Sequence, residues 1–140
     1  MTQASPWIAI VDDDPSVLRA LARLLNTRAL HARTYTSARD FLTALPDGLP
    51  ECLIVDLQMP GMTGLELQRH LNRTGIRIPT IVITAHNEVD MRELCRSAGA
   101  ANFLLKPLQD TSLLAAIDDA RRGSNPLRRR LPWDSDDDES

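Results

Sequence analysis

Asp56 closes the apolar run CLIVD (52–56), and the chain then turns at once through Met59-Pro60-Gly61. A carboxylate delivered by a buried segment costs free energy unless a cation, a donor or a metal meets it. Candidate partners stand at the ends of other apolar runs. Asp12-Asp13-Asp14 follows WIAIV (7–11), Thr84 closes TIVIT (80–84), and Lys106 closes NFLLK (102–106). Asp12, Asp13 and Asp56 could not crowd together as bare charges, because like charges at a few ångströms raise one another's pKa or demand a cation. All ligands in this set are oxygens, with no His or Cys at metal spacing, so the fitting ion is a hard one, Mg²⁺ or Mn²⁺. Mg²⁺ retains several waters and often binds substrate phosphate as well. Lys106 and the Thr84 hydroxyl would then be the positive and donor groups facing an incoming oxyanion.

For these side chains to act together, the elements carrying them must converge. Five short apolar runs alternate with five segments of helical period. WIAIV, CLIVD and TIVIT are almost continuously apolar, as strands covered on both faces should be, whereas LHARTY (30–35) is mixed and reads as an edge strand. Asp14 and Pro15 are placed to cap and open a helix with a Leu18, Leu21, Leu24, Leu25 stripe. Ser37 caps a short helix carrying Phe41, Leu42 and Leu45. Thr63 opens a third with Leu67 and Leu71, and Gly75 sits just past its end. A weaker helix is predicted over 88–98, and the last over 110–122, with Leu113, Leu114 and Ile117 inward. Strict β-α alternation implies a parallel sheet with right-handed crossovers and helices on both faces. The predicted fold is therefore a doubly wound, flavodoxin-like (βα)5 α/β domain of strand order 2-1-3-4-5, whose central strands open their C-terminal ends onto one crevice. Residues 1–122 form that domain. Residues 123–140, GSNPLRRRLPWDSDDDES, lose apolar periodicity and read as a disordered charged tail.

Composition narrows the function. The 140 residues carry a formal net charge of −3, without the basic excess of a nucleic-acid binder. The absence of a membrane-length apolar run and of a signal-like N-terminus points to a cytoplasmic protein. Cys52 and Cys95 share no metal spacing and are expected to be reduced, structural thiols. Of 16 basic residues, Lys106 is the sole Lys and the others are Arg. An Arg-rich codon preference accounts for that count, but not for where the Lys stands.

Four motifs in order, IVDDDP (10–15), LIVDLQMPGMTG (53–64), ITAH (83–86) and LLKP (104–107), resemble the receiver domain of two-component response regulators, and among these the nitrogen-fixation-type (FixJ-like) receivers. The resemblance covers roughly residues 6–122. It implies that Asp56 accepts a phosphoryl group from a phosphohistidine on a sensor histidine kinase. Asp12, Asp13, Asp56 and the backbone carbonyl of Gln58 would hold Mg²⁺, and Thr84 and Lys106 would bind the phosphoryl oxygens. It further implies a cis Lys106-Pro107 peptide and a switch in which Thr84 moves and the Phe103 ring follows. Gln58 and His86 would tune hydrolysis of the acyl phosphate. The chemistry is compatible: a carboxylate is a competent nucleophile for an acyl phosphate, and phosphoryl transfer needs in-line positioning and neutralised charge.

The expected function is that of a single-domain response regulator in a phosphorelay, with no turnover of an external substrate. Its output would be a switched surface of the fourth helix, fifth strand and fifth helix. That surface would contact an effector, a histidine phosphotransfer protein or a second copy in a phosphorylation-dependent homodimer. The alternative is a receiver fragment of a longer DNA-binding transcription regulator. Two other classes fit poorly. A flavodoxin-type electron carrier needs a phosphate loop where three acids stand, and a haloacid-dehalogenase-type phosphatase needs an acid where Gln58 stands. Each residue also has a plain reading. Asp14 is a helix cap, Thr84 a strand-end hydroxyl, Phe103 core, and His31, His70 and His86 surface residues. The Arg128-Arg129-Arg130 and acidic runs around Trp133 read as solvated chain.

Overall fold

Strand-forming and helix-forming segments alternate along the chain as the periodicity requires, and the computed structural model describes residues 6–86 and 88–122. The order is β1 (Trp7–Val11), α1 (Pro15–Asn26), β2 (His31–Tyr35), α2 (Ala38–Ala44), a 3₁₀ turn (Leu45–Asp47), β3 (Cys52–Asp56), α3 (Gly64–Arg73), β4 (Thr80–Thr84), α4 (Val89–Ser97), β5 (Asn102–Leu105) and α5 (Asp110–Arg122). All strand pairings are parallel, and the sheet runs β2-β1-β3-β4-β5. The charged segment 123–140 lies outside the described residues.

Alternation of side chains along the strands divides the core in two. Ala9, Val11, Leu53, Val55, Val82 and Phe103 point to one face, where Phe41 of α2, Leu67 and Leu71 of α3 and Cys95 of α4 cover them. Ile8, Ile10, Cys52, Ile54, Ile81 and Ile83 point to the other, against Leu18, Leu21 and Leu25 of α1 and Leu113 and Ile117 of α5. The three central strands β1, β3 and β4 are buried at every position, whereas β2 at the edge is half exposed. That contrast is why the first three read as continuous apolar runs and β2 does not.

The helix boundaries follow local chemistry. Asp14 caps α1, its carboxylate accepting from the Ser16 N–H at 2.9 Å, with Pro15 in the first turn. The Ser37 hydroxyl accepts from the Asp40 N–H at the start of α2. Gly75, at φ +77°, takes the left-handed position that ends α3. Some boundaries differ from the periodicity. Leu45 lies in the 3₁₀ turn rather than in α2, because Pro46 supplies no backbone donor to continue the helix. The predicted fifth strand stops one residue early, at Leu105, which leaves Lys106 just beyond the sheet edge. His70 and Leu114, expected outside and inside respectively, are both half-buried.

Candidate functional site

Register delivers the acids. Val11 pairs with Val55, so the next residues of β1 and β3, Asp12 and Asp56, emerge side by side from adjacent strands, with strands about 4.8 Å apart. Thr84 pairs with Leu105, so Lys106 emerges beside the end of β4. The Lys106 N–H donates to the Thr84 carbonyl at 2.7 Å, which continues the ladder one step and fixes the start of the Lys side chain. The Lys106-Pro107 bond is cis.

The Lys106 ammonium donates to Asp12 Oδ2 at 2.9 Å and lies 3.3 Å from Asp56 Oδ1. Asp12 is fully buried and Asp56 is 4% exposed, while Asp13 is exposed. One carboxylate oxygen from each of Asp12, Asp13 and Asp56 falls within 4.8 Å of the others. Asp12 is also held from the other side, where its Oδ1 accepts from the Asp14 N–H at 2.9 Å. A buried carboxylate with two donors is tolerable where a bare one is not.

The electrostatics follow from burial. Desolvation, then the neighbouring Asp12 charge, push the Asp56 carboxyl above the usual carboxylate range; Lys106 opposes this and Asp13 adds to it. For Lys106 desolvation works against the ammonium, but the hydrogen bond and charge of Asp12, with Asp56 behind them, more than offset it and hold its pKa up. Asp14, one step out, is different. Hydrogen bonds from the Ser16 side chain and backbone lower its pKa, as befits a helix cap in water.

The loop after β3 is anchored at both ends. The Leu57 N–H donates to the Ile83 carbonyl at 2.8 Å, and the Gly64 N–H donates to the Leu57 carbonyl at 3.1 Å. Thr63 and Glu66 form a reciprocal capping box at the start of α3. Gly64 packs so close to the backbone of Asp56 that a Cβ built on it would stand 2.7 Å from the Asp56 carbonyl oxygen.

Thr84 is fully buried, and its hydroxyl accepts from the His86 N–H at 3.1 Å. His86 and Gln58 are exposed on the loops flanking the acids, and Phe103 is buried on the face opposite α1 and α5. The structure thus brings Asp12, Asp13, Asp56 and Lys106 into one cluster, with Thr84 at the adjoining strand end. Two contributors escaped the sequence reading. The direct Asp12–Lys106 pair is one, since no local signal announces a contact between residues 94 apart. Gly64 is the other, and it did leave a signal: a Gly as first residue of a capped helix, where Ala has the better propensity, marks close backbone approach.

An arrangement of one half-screened carboxylate, two further acids and an ammonium can take a hard divalent ion and an oxyanion together. The sequence profile of the response regulator receiver domain matches residues 8–118. Over 113 residues the chain is 41% identical to the transcriptional regulatory protein FixJ of Rhizobium meliloti (strain 1021), a match covering 81% of this chain and 55% of that protein. Over 132 residues it is 36% identical to the response regulator protein TodT of Pseudomonas putida, covering 94% of this chain and 58% of that protein. The crystal structure of FixJ-N superposes with a TM-score of 0.79 at 38% identity, covering 86% of this chain and 96% of that one. The chain therefore spans little more than half the length of these curated relatives. Among the described residues no helix is long and apolar enough to cross a membrane.

Proposed function

The chain belongs to the response regulator receiver family, and from that premise we propose that Asp56 accepts a phosphoryl group from a sensor histidine kinase and that the modified domain signals by protein contact. One observation carries the proposal: a nearly buried carboxylate 3.3 Å from an ammonium and beside two further acids. In the transfer, an Asp56 oxygen forms a bond to phosphorus as the phosphorus–nitrogen bond of the donor phosphohistidine breaks, and the electron pair of that bond returns to the imidazole. Asp12, Asp13 and Asp56, with the Gln58 carbonyl, are the residues that would hold Mg²⁺, and the oxygen-only donor set fits it. When bound, that ion would neutralise charge on the acids and the phosphoryl oxygens.

Lys106 orients Asp56 and meets the added negative charge. Thr84, once phosphorylation offers its hydroxyl an anionic acceptor, gives up its role as acceptor for the His86 N–H and draws that loop inward. Phe103 then occupies the space Thr84 leaves. The output face is α4, β5 and α5, where Val89 (77% exposed), Leu94 (41%) and Leu105 (42%) already present apolar surface to an effector, a histidine phosphotransfer protein or a second copy. Gln58 and His86 set the lifetime of the acyl phosphate. Equal dephosphorylation rates in His86→Ala and the parent would remove His86 from that role. No external substrate is turned over, and the site works in the cytoplasm without direct nucleic-acid contact.

Acetyl phosphate with Mg²⁺, followed by intact-protein mass spectrometry, tests the central claim. The parent should gain one phosphoryl group and Asp56→Asn none; no gain in the parent, or an equal gain in the variant, would sink it. A second reading is favoured by the length of the relatives: this receiver acts as the input part of a longer transcription regulator. The mass of the protein in its host separates the two. A species of 140 residues supports the single-domain reading, and a larger product the second.

A further inference from the structure

The stretch from Pro15 to Arg39 contains Arg19, Arg23, Arg28, His31, Arg33 and Arg39 and not one Asp or Glu. It folds into α1, the edge strand β2 and the first turn of α2, so its charge collects on one flank. Between α1 and the start of β2 lies a groove of about 430 Å³, lined by Arg19, Arg23 and Asn26 on the helix and Leu30, His31 and Ala32 on the strand side. Arg19 and Arg23, four apart, share one helix face. Neither they nor Arg28 form an ion pair with a described carboxylate. Arg33 is engaged otherwise, its guanidinium 4.3 Å from the centre of the Trp7 ring. Charges on β2 are a usual protection of a sheet edge, which accounts for His31 and Arg33 but not for the two arginines on the helix.

The chain carries a complement to this groove. Residues 134–139, DSDDDE, place five carboxylates in six positions and lie outside the described residues. The last described helix delivers the chain to the matching end of the sheet. Arg121 of α5 pairs with Glu51 at 3.2 Å, the Glu51 N–H donates to the Trp7 carbonyl at 2.9 Å, and Trp7 is in register with His31. With two strand spacings of roughly 4.8 Å between β3 and β2, the end of α5 and the groove are on the order of 10–20 Å apart. The chain from 123 to 133 can bridge at most about 36–40 Å. Tethering raises the local concentration of the acids into roughly the millimolar range, where weak charge pairing suffices.

We propose that the acid-rich segment 134–139 is an intramolecular ligand of the α1–β2 groove, its carboxylates pairing with Arg19, Arg23 and His31. This does not depend on phosphoryl acceptance at Asp56. The test compares backbone amide NMR spectra of the full chain with a variant in which Asp134, Asp136, Asp137, Asp138 and Glu139 are changed to Asn or Gln. Shift differences should concentrate between Arg19 and Ala32 and vanish as salt rises from about 0.05 to 0.5 M, as the screening length shortens. A synthetic DSDDDES peptide added to the neutralised chain should reproduce them, and Arg19→Gln/Arg23→Gln should weaken that binding roughly tenfold. Unmoved groove resonances would overturn the proposal, and would be the result if the acids pair with Arg128, Arg129 and Arg130 instead. Shifts that grow with protein concentration would assign the groove to a second copy and also overturn it. A duplex DNA that gives the same shifts while tail neutralisation gives none would overturn it in favour of a nucleic-acid surface.

Discussion

Two acid clusters in this domain use the same residue types to opposite ends. At the strand ends Asp12 and Asp56 are buried around Lys106. On α5 Asp118 and Asp119 lie exposed around Arg122, at 2.6 and 2.8 Å. The second cluster has the shorter contacts, yet it can do little. Water screens each charge, and three- and four-residue spacing on a helix produces such pairs routinely. The first has desolvation behind it, so each charge there depends on the others and any newcomer of either sign is felt strongly. Distance alone would have ranked the two clusters wrongly; burial separates a tightly coupled constellation from a solvated one.

The largest test of this contrast is Lys106→Met in metal-free buffer. It leaves Asp12 buried without its cation and should destabilise the fold by about 2–4 kcal/mol in denaturant melts, somewhat below the usual figure for a broken buried pair because the Lys side chain is partly exposed. A loss no larger than that of a surface substitution would show that Asp12 is not desolvated as described. Gly64→Ala comes next. Its Cβ would press on the backbone of Asp56 rather than on a pliable side chain, so we expect a loss of about 1–3 kcal/mol together with slower phosphorylation from acetyl phosphate.

A smaller, pH-dependent effect belongs to Asp56 itself. Its folded pKa is raised, so between the ordinary carboxylate value and the raised one the folded state holds more protons than the unfolded, and stability falls as pH rises through that window. In EDTA, Asp56→Asn should therefore melt higher than the parent at neutral pH and converge with it in acid; a parent that gains stability over the same window would contradict the assignment. Lys106 does not confuse this reading. With its pKa raised, its contribution is complete below the ordinary Lys value and is lost as pH rises from there through the raised one, beyond the assay range. At the small end, Arg122→Met should leave the melting midpoint unchanged within error, completing the comparison with Lys106→Met.

Legibility differed in the same way. The strands that form the centre of the sheet were readable because both their faces are buried, so apolarity is continuous. The caps at Asp14, Ser37 and Thr63 were readable because a side chain bonding a backbone N–H two or three residues on is a local event. Asp13, Asp56 and Lys106 could be nominated because a charged residue ending a buried strand is conspicuous without any coordinates. What stayed hidden was which charge meets which. The sequence pattern offers Lys106 as a partner of Asp56, and in the fold the ammonium lies closer to Asp12. The approach of α3 to the Asp56 carbonyl, which only Gly64 allows, was not foreseen either.

By itself the order of residues determined the element types, the parallel alternation and the chemical inventory of the crevice, since these rest on periodicity, propensity and turn chemistry acting within a few positions. Only the tertiary structure decided the pairing within that crevice, the full burial of Asp12 and the raised proton affinity of Asp56. Those depend on strand register and on how much water neighbouring elements exclude, and both are properties of the packed chain.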